Sequence, residues 1–387
     1  MSASSSNTLS PLHSTEDSVH TMRHHSLSIP PELIDEIIDY LWDDKDALIA
    51  CSFVCRLFYL RTRAHLLHSI ELKHTPDDSV SQSILPYIKN ITICRGASPI
   101  LSLTPFLSSL PNLTTLHLDR LQFPDPWSLH HLICQIPRLT SLDLSAIRFR
   151  QDFLVELGSV GSGLLPKINK ISMWGTSFHA SVVEFLIHRR ELRAVYVDSL
   201  RGLCIMYPPG EYLSLICAFV RAARSLRSLD IRIRETKYRI NVMSEWPAQL
   251  DVLPLTMPVL KIEIENDYSC WHVKTMRWLL DSLVGANGPI MLEMLTLVVV
   301  PPIHLGVFMD DNAWRRQWSR LDEVLTGPDM NVFRRLTVIS KPRADYLRLF
   351  LSQRLDFIEW VCGKLPLLGA RGMLDVDTVE DTNWEDL

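Results

Sequence analysis

LTTLHLDRLQF (residues 113–123) and LTSLDLSAIRF (residues 139–149) carry one apolar pattern, and that pattern decides the fold prediction. Both segments are apolar at their first, fourth, sixth and eleventh positions, and the eleventh residue is phenylalanine in each. INKISMWGTSF (residues 168–178) repeats the same spacing. Alternation of apolar and polar residues is typical of a strand with one buried face. Three consecutive segments with one spacing therefore indicate an internal repeat.

Copies of the first six positions extend the repeat in both directions. They begin at Leu67, Ile88, Leu192 and Leu226, and weaker copies begin at Met257, Leu292 and Phe333. Helix-like segments lie between copies, and the one over residues 181–191 opens with Ser181 and Glu184 at capping-box spacing. Strand and helix alternating every 20 to 40 residues or so is typical of a repeat protein with a parallel sheet, because parallel neighbours need a crossover. Residues 74–372 are therefore predicted to form an α/β solenoid with a curved parallel sheet.

A short helical unit is predicted ahead of the repeats, over residues 28–73. SIPPELIDEIIDYLW (residues 28–42) opens with a proline pair, which suits only the start of a helix. ALIACSFVCRLFYL (residues 47–60) is apolar except at Ser52 and Arg56. A helix that is apolar on nearly every side must be covered on nearly every side. Because so short a unit rarely folds on its own core, another protein or the first repeat has to cover this helix.

The composition excludes several classes of protein. The chain has 387 residues and a formal net charge of −5, which argues against a general nucleic-acid binder. The run Met294–Met309 is too short for a membrane span of about 20 residues, and prolines interrupt it. The cysteines are sparse and the N-terminus lacks a secretory signal, so we predict a cytoplasmic or nuclear protein without a membrane partner. Residues 1–27 and 373–387, serine-rich and acidic respectively, are predicted to be flexible tails.

The helical unit resembles the F-box. The matching residues are Ile29-Pro30, Glu32, Leu33-Ile34, Ile37-Ile38, Tyr40-Leu41, Val54-Cys55-Arg56 and Phe58, with Ile29 at the position where the family usually has Leu. This resemblance implies docking to a Skp-family adaptor, which bridges to a cullin ubiquitin ligase. The residues that it assigns to the adaptor interface are Pro30, Leu33, Ile34, Ile37, Leu48, Val54 and Leu57.

The repeat resembles the leucine-rich repeat, L-x-x-L-x-L-x-x-N-x-L. It departs from that pattern at the Asn position, which holds Leu121, Ile147, Thr176, Leu200 and Arg234. In a sheet of this kind the alternate strand positions face the concave surface, where a protein target would bind. The residues expected there are His117, Asp119, Asp143, Trp174, Tyr196, Asp198, Asp230 and Arg232. Trp, Tyr and Arg are enriched in binding hot spots.

Other patterns predict no chemistry. Cys51 and Cys55 are one helical turn apart, but no second pair at zinc spacing accompanies them, so both are predicted to be buried core residues. GSVGSG (residues 158–163) follows a helix and precedes a strand, whereas a phosphate-binding loop follows a strand and opens a helix. We find no catalytic motif and predict no cofactor, no metal and no enzymatic activity.

The two resemblances together imply the substrate-recognition subunit of a Skp–cullin–F-box ubiquitin ligase. Such a protein accelerates ubiquitin transfer by raising the effective concentration of the target's lysines. Two alternatives stay open: a repeat scaffold outside ubiquitin transfer, with the helical unit as the end cap that solenoids need, and an enzyme whose site is assembled from residues distant in sequence. The identity of the protein target is not encoded in any motif.

Overall fold

The computed structural model describes residues 29–72, 82–94, 103–150, 166–174, 195–206, 213–234, 256–265, 269–285, 290–300, 312–341 and 347–378. The predicted N-terminal tail, the predicted helix over residues 181–191 and the GSVGSG segment lie outside the described residues. The chain divides into two compact units, Met1–Thr62 and Arg63–Leu387.

The first unit begins with α1 (Pro31–Tyr40), α2 (Lys45–Ser52) and most of α3 (Arg56–Leu66). Asp44 caps α2, because its carboxylate accepts a hydrogen bond of 2.9 Å from the Ala47 amide. The prediction of one continuous helix over residues 47–60 is wrong. The Ser52 hydroxyl donates to the Ile49 carbonyl, which competes with the helical pattern, and residues 53–55 separate α2 from α3.

An ion pair joins α1 to α3. The Arg61 guanidinium donates to both carboxylate oxygens of Asp39, with 2.8 Å from Nε to Oδ1, and Asp35 lies 3.9 Å from the same Nε. This two-point geometry fixes the guanidinium more firmly than a single contact does. Ile34, Ile38 and Leu48 are the buried apolar residues in the described part of this unit.

The second unit contains an 11-stranded parallel sheet whose strand order follows the sequence. Its strands are β1 (Ser69–Leu72), β2 (Asn90–Ile93), β3 (Thr115–Asp119), β5 (Ser141–Ser145), β7 (Lys170–Trp174), β8 (Gly202–Met206), β9 (Ser228–Arg234), β10 (Val259–Glu265), β11 (Met294–Val300), β12 (Arg335–Ser340) and β13 (Leu374–Thr378). The predicted α/β class with a large parallel sheet is confirmed.

Helices follow many of the strands. They are α4 (Thr104–Ser108), α5 (Pro126–Cys134), α6 (Leu213–Ala222), α7 (Ser269–Val284), α8 (Asn312–Leu325), α9 (Leu347–Lys364) and α10 (Pro366–Ala370), with 3₁₀ turns at Leu85–Tyr87 and Pro328–Met330. Strand residues alternate as predicted: Leu116 and Leu118 of β3 are buried, while His117 between them is partly exposed. Strands β2, β3, β5 and β7 therefore have one face in the core and one partly exposed face that is mainly polar.

The phenylalanine at the eleventh position of the repeat has a structural reason. Phe123 and Phe149 are buried with ring centroids 6.2 Å apart. They lie in β4 (Gln122–Phe123) and β6 (Arg148–Phe149), which form a separate two-stranded parallel sheet. The repeated aromatic residue therefore marks a second row of strand pairing in consecutive repeats.

One strand prediction and one tail prediction are wrong. Of the strand expected over residues 192–197, the described part, residues 195–197, is helix and turn, and the strand of this repeat is β8 instead. Val195, Tyr196 and Val197 are all buried, and a strand with one buried face cannot bury three consecutive side chains. The predicted flexible tail over residues 373–387 begins with β13, which pairs with β12. Its acidic residues alternate with Leu374 and Val376, so the segment is a half-buried strand despite its charge.

Candidate functional site

Exposed apolar side chains concentrate in the helical unit. Eleven of the seventeen large apolar side chains exposed in the described part of the chain lie between Ile29 and Leu60, and the other six are spread over residues 174–367. We call the eleven the apolar helical surface: Ile29, Leu33, Ile37, Tyr40, Trp42, Ile49, Phe53, Val54, Leu57, Tyr59 and Leu60. Phe53 is 83% exposed and Tyr40 is 88% exposed. Clustering of this kind is typical of a protein-interaction surface.

The structure divides the residues predicted for the adaptor interface. Exposed members are Pro30, Leu33, Ile37, Val54 and Leu57. Ile34 and Leu48, by contrast, are only 7% and 1% exposed, so they are not part of the apolar helical surface. Burial of Ile34 and exposure of Leu33 follow from the helix itself, because adjacent residues point about 100° apart around its axis.

Sequence reasoning missed the two most exposed members of this surface, Tyr40 and Phe53, and also Trp42. Tyr40 ends α1, Trp42 follows it, and Phe53 lies between α2 and α3. Their positions at helix ends are the signal that identifies them, because a large apolar residue beyond the last turn has few neighbours within its own helix. The Asp39–Arg61 ion pair between α1 and α3 orients the two helices that carry most of the surface.

The second candidate surface is the face of the sheet where polar side chains alternate with the core. We call its members on the middle strands the polar sheet face: His117, Asp119, Asp143, Ser145, Ser172, Trp174, Cys204, Asp230, Arg232, Lys261 and Glu263. The strand register aligns His117, Asp143, Ser172, Cys204 and Asp230 in one row. The sheet thus presents a row of polar groups from successive strands.

Ion pairs lie at two places on the polar sheet face. At the first, His117 Nδ1 lies 2.9 Å from Asp143 Oδ2, and this hydrogen bond raises the pKa of His117 against the opposing effect of burial.

The second group of ion pairs is centred on Glu263, which is buried. Glu263 accepts a 2.7 Å hydrogen bond from Lys341 Nζ and lies 3.4 Å from Arg232 Nε. Burial lowers the pKa of Arg232, but the negative charges of Asp230 and Glu263 outweigh it and raise the value. These pairs hold the charged side chains in fixed positions.

The structure places most of the predicted target-binding residues together. Those on the polar sheet face are His117, Asp119, Asp143, Trp174, Asp230 and Arg232, and Trp174 is 40% exposed. Asp198 is exposed but lies in a turn outside the sheet. Tyr196 is 2% exposed and its hydroxyl lies 3.2 Å from His130 Nδ1, so its placement on this face is wrong.

Two charged residues of this region were missed. Glu263 occupies an alternate position of β10 in the pattern VLKIEIE, so the strand period alone identifies it. Lys341 follows the end of β12, and only the three-dimensional contact with Glu263 identifies it.

Burial controls the protonation of two thiols, Cys134 and Cys204, and of the buried His130. Burial raises the pKa of Cys134 to about 11 and that of Cys204 to about 12, and it lowers the pKa of His130 to about 4. A reactive cysteine requires the opposite shift, because the thiolate is the nucleophile. Within the described ranges, no three His, Cys, Asp or Glu residues are arranged to hold a metal ion.

Cys51 and Cys55 differ from the prediction that both are buried. Cys51 is partly exposed and Cys55 is exposed, and both are free thiols. Cys51 lies in the last turn of α2 and Cys55 lies in the break between α2 and α3, where both have less cover than a continuous helix would give. Among the helices that the structure describes, none has both the length and the apolar character needed to cross a membrane.

Comparison of the sequence with protein-family models gives no match, and comparison with curated proteins gives none either. The apolar helical surface and the polar sheet face are therefore the two features of the molecule that indicate a function.

Proposed function

We propose that this protein is the substrate-recognition subunit of a Skp–cullin–F-box ubiquitin ligase. The helical unit binds a Skp-family adaptor, and the leucine-rich-repeat-like sheet binds a protein target. Its role is non-catalytic: it holds the target near the ubiquitin-charged enzyme and so raises the effective concentration of the target's lysines.

The observation that carries this proposal is the apolar helical surface. Leu33, Ile37 and Leu57 are each about half exposed, and Val54 is 66% exposed. Complete burial of one such side chain contributes about 1.5–3 kcal/mol, so covering the half-exposed areas of these four gives roughly 3–6 kcal/mol. That free energy is available to a partner whose surface is also apolar, as the F-box resemblance implies for a Skp-family adaptor.

The polar sheet face supports the second part of the proposal. It combines a half-exposed tryptophan, Trp174, with the ion-paired Arg232, and both residue types are frequent in binding hot spots. The ion pairs with Asp230 and Glu263 restrict the Arg232 side chain before any target arrives. Restricting a side chain in advance lowers the entropy that binding has to remove.

Co-purification with a Skp-family adaptor tests the adaptor interface. We expect the full chain, co-expressed with the adaptor, to elute as a one-to-one complex in size-exclusion chromatography. Val54→Asp places a charge on the apolar helical surface and is expected to abolish the complex. Val284→Asp is the matched control, because Val284 is 60% exposed but lies at the end of α7 in the second unit.

The same experiment separates the proposal from the scaffold alternative. If the protein is soluble and monomeric and does not bind the adaptor, the ligase proposal is wrong and the helical unit serves as a cap. If Val54→Asp and Val284→Asp weaken the complex equally, the apolar helical surface is not the adaptor interface. Circular dichroism of each variant verifies that its fold is intact.

A further inference from the structure

A cavity lies where the turns that follow β3 and β5 meet. Its volume is about 230 Å³, and its lining residues are Arg120, Leu121, Gln122, Ala146 and Arg148. Gln122 and Arg148 are register partners in the small sheet of β4 and β6. Arg120 and Ala146 occupy the same position of their repeats, and both have left-handed backbones. The cavity is therefore formed by two copies of one turn.

The size of the cavity limits what it can hold. Sites for drug-sized ligands and cofactors measure about 300–1,000 Å³, which is larger than this cavity. A water molecule takes about 30 Å³ of liquid, so the space equals that of several waters. That volume suits a single charged group, such as the end of one side chain from a binding partner.

The charge around the cavity favours an anion. Arg148 is exposed, and within the described ranges it forms no ion pair. Arg120 is bound through Nε to Asp119 Oδ2 at 2.7 Å, with its side chain 66% exposed. Burial alone would raise the pKa of Asp119, but hydrogen bonds from Arg120 and Ser145 outweigh it and lower the value. Two arginines thus line the cavity, and the one carboxylate described beside them, Asp119, pairs with Arg120 only, which leaves a net positive charge.

We infer that this cavity binds an oxyanion group of the protein target, either a phosphorylated side chain or the carboxylate of Asp or Glu. A guanidinium matches such groups with two parallel hydrogen bonds, and Arg148 has no competing partner among the described residues. The Gln122 amide supplies a further donor beside it. The inference rests on the proposed target-binding role of the polar sheet face, because the Ala146 amide donates to the Trp174 carbonyl at 2.9 Å and ties the cavity to that face.

Titration of the full chain labelled with ¹⁵N-arginine tests the inference. Inorganic phosphate is added at constant ionic strength, and the side-chain Nε–H signal of Arg148, assigned with Arg148→Lys, is followed by NMR. The expected result is a saturable shift that sodium chloride does not reproduce. Equal shifts with chloride, or no shift, would overturn the inference.

Peptides identify the source of the oxyanion. Three pentapeptides, with phosphoserine, glutamate or serine between glycine pairs, are titrated in the same way. Preference for phosphoserine indicates a phosphorylated target, and equal binding of glutamate indicates a carboxylate. Either result supports the inference, whereas binding of the serine peptide as tightly as the charged peptides contradicts it.

Variants locate the site and separate this inference from the proposed function. Arg148→Ala is expected to weaken binding of the charged peptide roughly tenfold or more, and Arg148→Lys less. Arg224→Ala, an exposed arginine after α6, is the control and should not change binding. If Arg148→Ala binds as the natural chain does, the inference is wrong. Adaptor co-purification is measured in parallel, so loss of the adaptor with intact peptide binding contradicts only the ligase proposal.

Discussion

At the scale of single residues, the turns after β3 and β5 depend on backbone conformations that side chains disfavour. Arg120 and Ala146 have φ values of 53° and 51°. The left-handed region costs a residue with a Cβ about 1–2 kcal/mol. The amides of both residues donate to carbonyls of the next repeat, at 2.7 Å to Ser145 and 2.9 Å to Trp174. Contacts between consecutive repeats therefore hold the turns in this conformation.

Ala146→Gly is expected to stabilise the protein. Glycine removes the left-handed strain but loses roughly 0.5–1 kcal/mol in conformational entropy, so the net gain is up to about 1.5 kcal/mol. Urea denaturation measures the change. Ala218→Gly, in the interior of α6, is the control and should lower the free energy of unfolding by about 0.5–1 kcal/mol. A loss of stability in Ala146→Gly equal to that of the control would contradict this account.

The His117–Asp143 pair predicts a titration with a defined sign. Because the hydrogen bond to Asp143 raises the pKa of His117 in the folded state, the pair's contribution to stability is present at low pH and is lost as pH rises through that pKa. Asp143→Asn should therefore lower the His117 pKa, measured by NMR of its ring protons. It should also destabilise the protein more at pH 5.5 than at pH 8.5. An unchanged His117 pKa in the variant would show that the pair does not form in solution.

At the scale of elements, α10 depends on a cap from another helix. The Leu367 and Leu368 amides donate to the two carboxylate oxygens of Asp322 in α8, at 2.8 and 2.9 Å. Asp322 is buried, so no solvent replaces these bonds when it is removed. Asp322→Ala should therefore lower the free energy of unfolding by about 2–3 kcal/mol, measured by urea denaturation.

Two variants control this prediction. Asp322→Asn keeps one acceptor oxygen in place, so its free energy of unfolding should fall less than that of Asp322→Ala. Glu323→Ala changes the neighbouring exposed carboxylate and should stay within about 0.5 kcal/mol of the natural chain. Equal losses in Asp322→Ala and Glu323→Ala would show that α10 does not need the cap.

Elements also show where sequence reasoning succeeds and where it fails. Period and alternation predicted the strands that carry His117, Asp143 and Asp230, because each strand has one face in the core. The same pattern placed the strand of the next repeat too early, before β8. Residues 195–197 fit the apolar spacing of the repeat, but all three are buried, which a strand with one buried face does not allow. Residues that act through distant contacts, such as Lys341 with Glu263 and Asp322 with α10, have no local signal.

The apolar helical surface shows the same limit. An excess of apolar residues over residues 47–60 was visible in composition, but its division into buried Leu48 and exposed Val54 and Leu57 depends on the break at residues 53–55. Helix periodicity assumes a continuous helix, and a break rotates every residue after it. The sequence therefore predicted the surface as a whole better than its individual members.

At the scale of the whole molecule, the sheet's C-terminal edge is formed by an acidic strand. β13 pairs with β12 over five residues, from Leu374 to Thr378, and Asp375 and Asp377 lie on its exposed side. An edge strand offers unpaired amides and carbonyls to other chains, and charged residues discourage such pairing. The acidic segment thus completes the sheet while protecting its edge.

Truncation separates these two roles of β13. A chain that ends at residue 373 lacks the strand, loses its pairing with β12 and uncovers core side chains next to Leu374 and Val376. We expect its free energy of unfolding, measured in urea, to be lower by on the order of 2–4 kcal/mol. We also expect it to form larger species in size-exclusion chromatography, because β12, which is more apolar, becomes the edge strand. A chain that ends at residue 378 keeps β13 and should match the full protein in both measurements. If the two truncated chains behave alike, β13 contributes nothing to the sheet in solution.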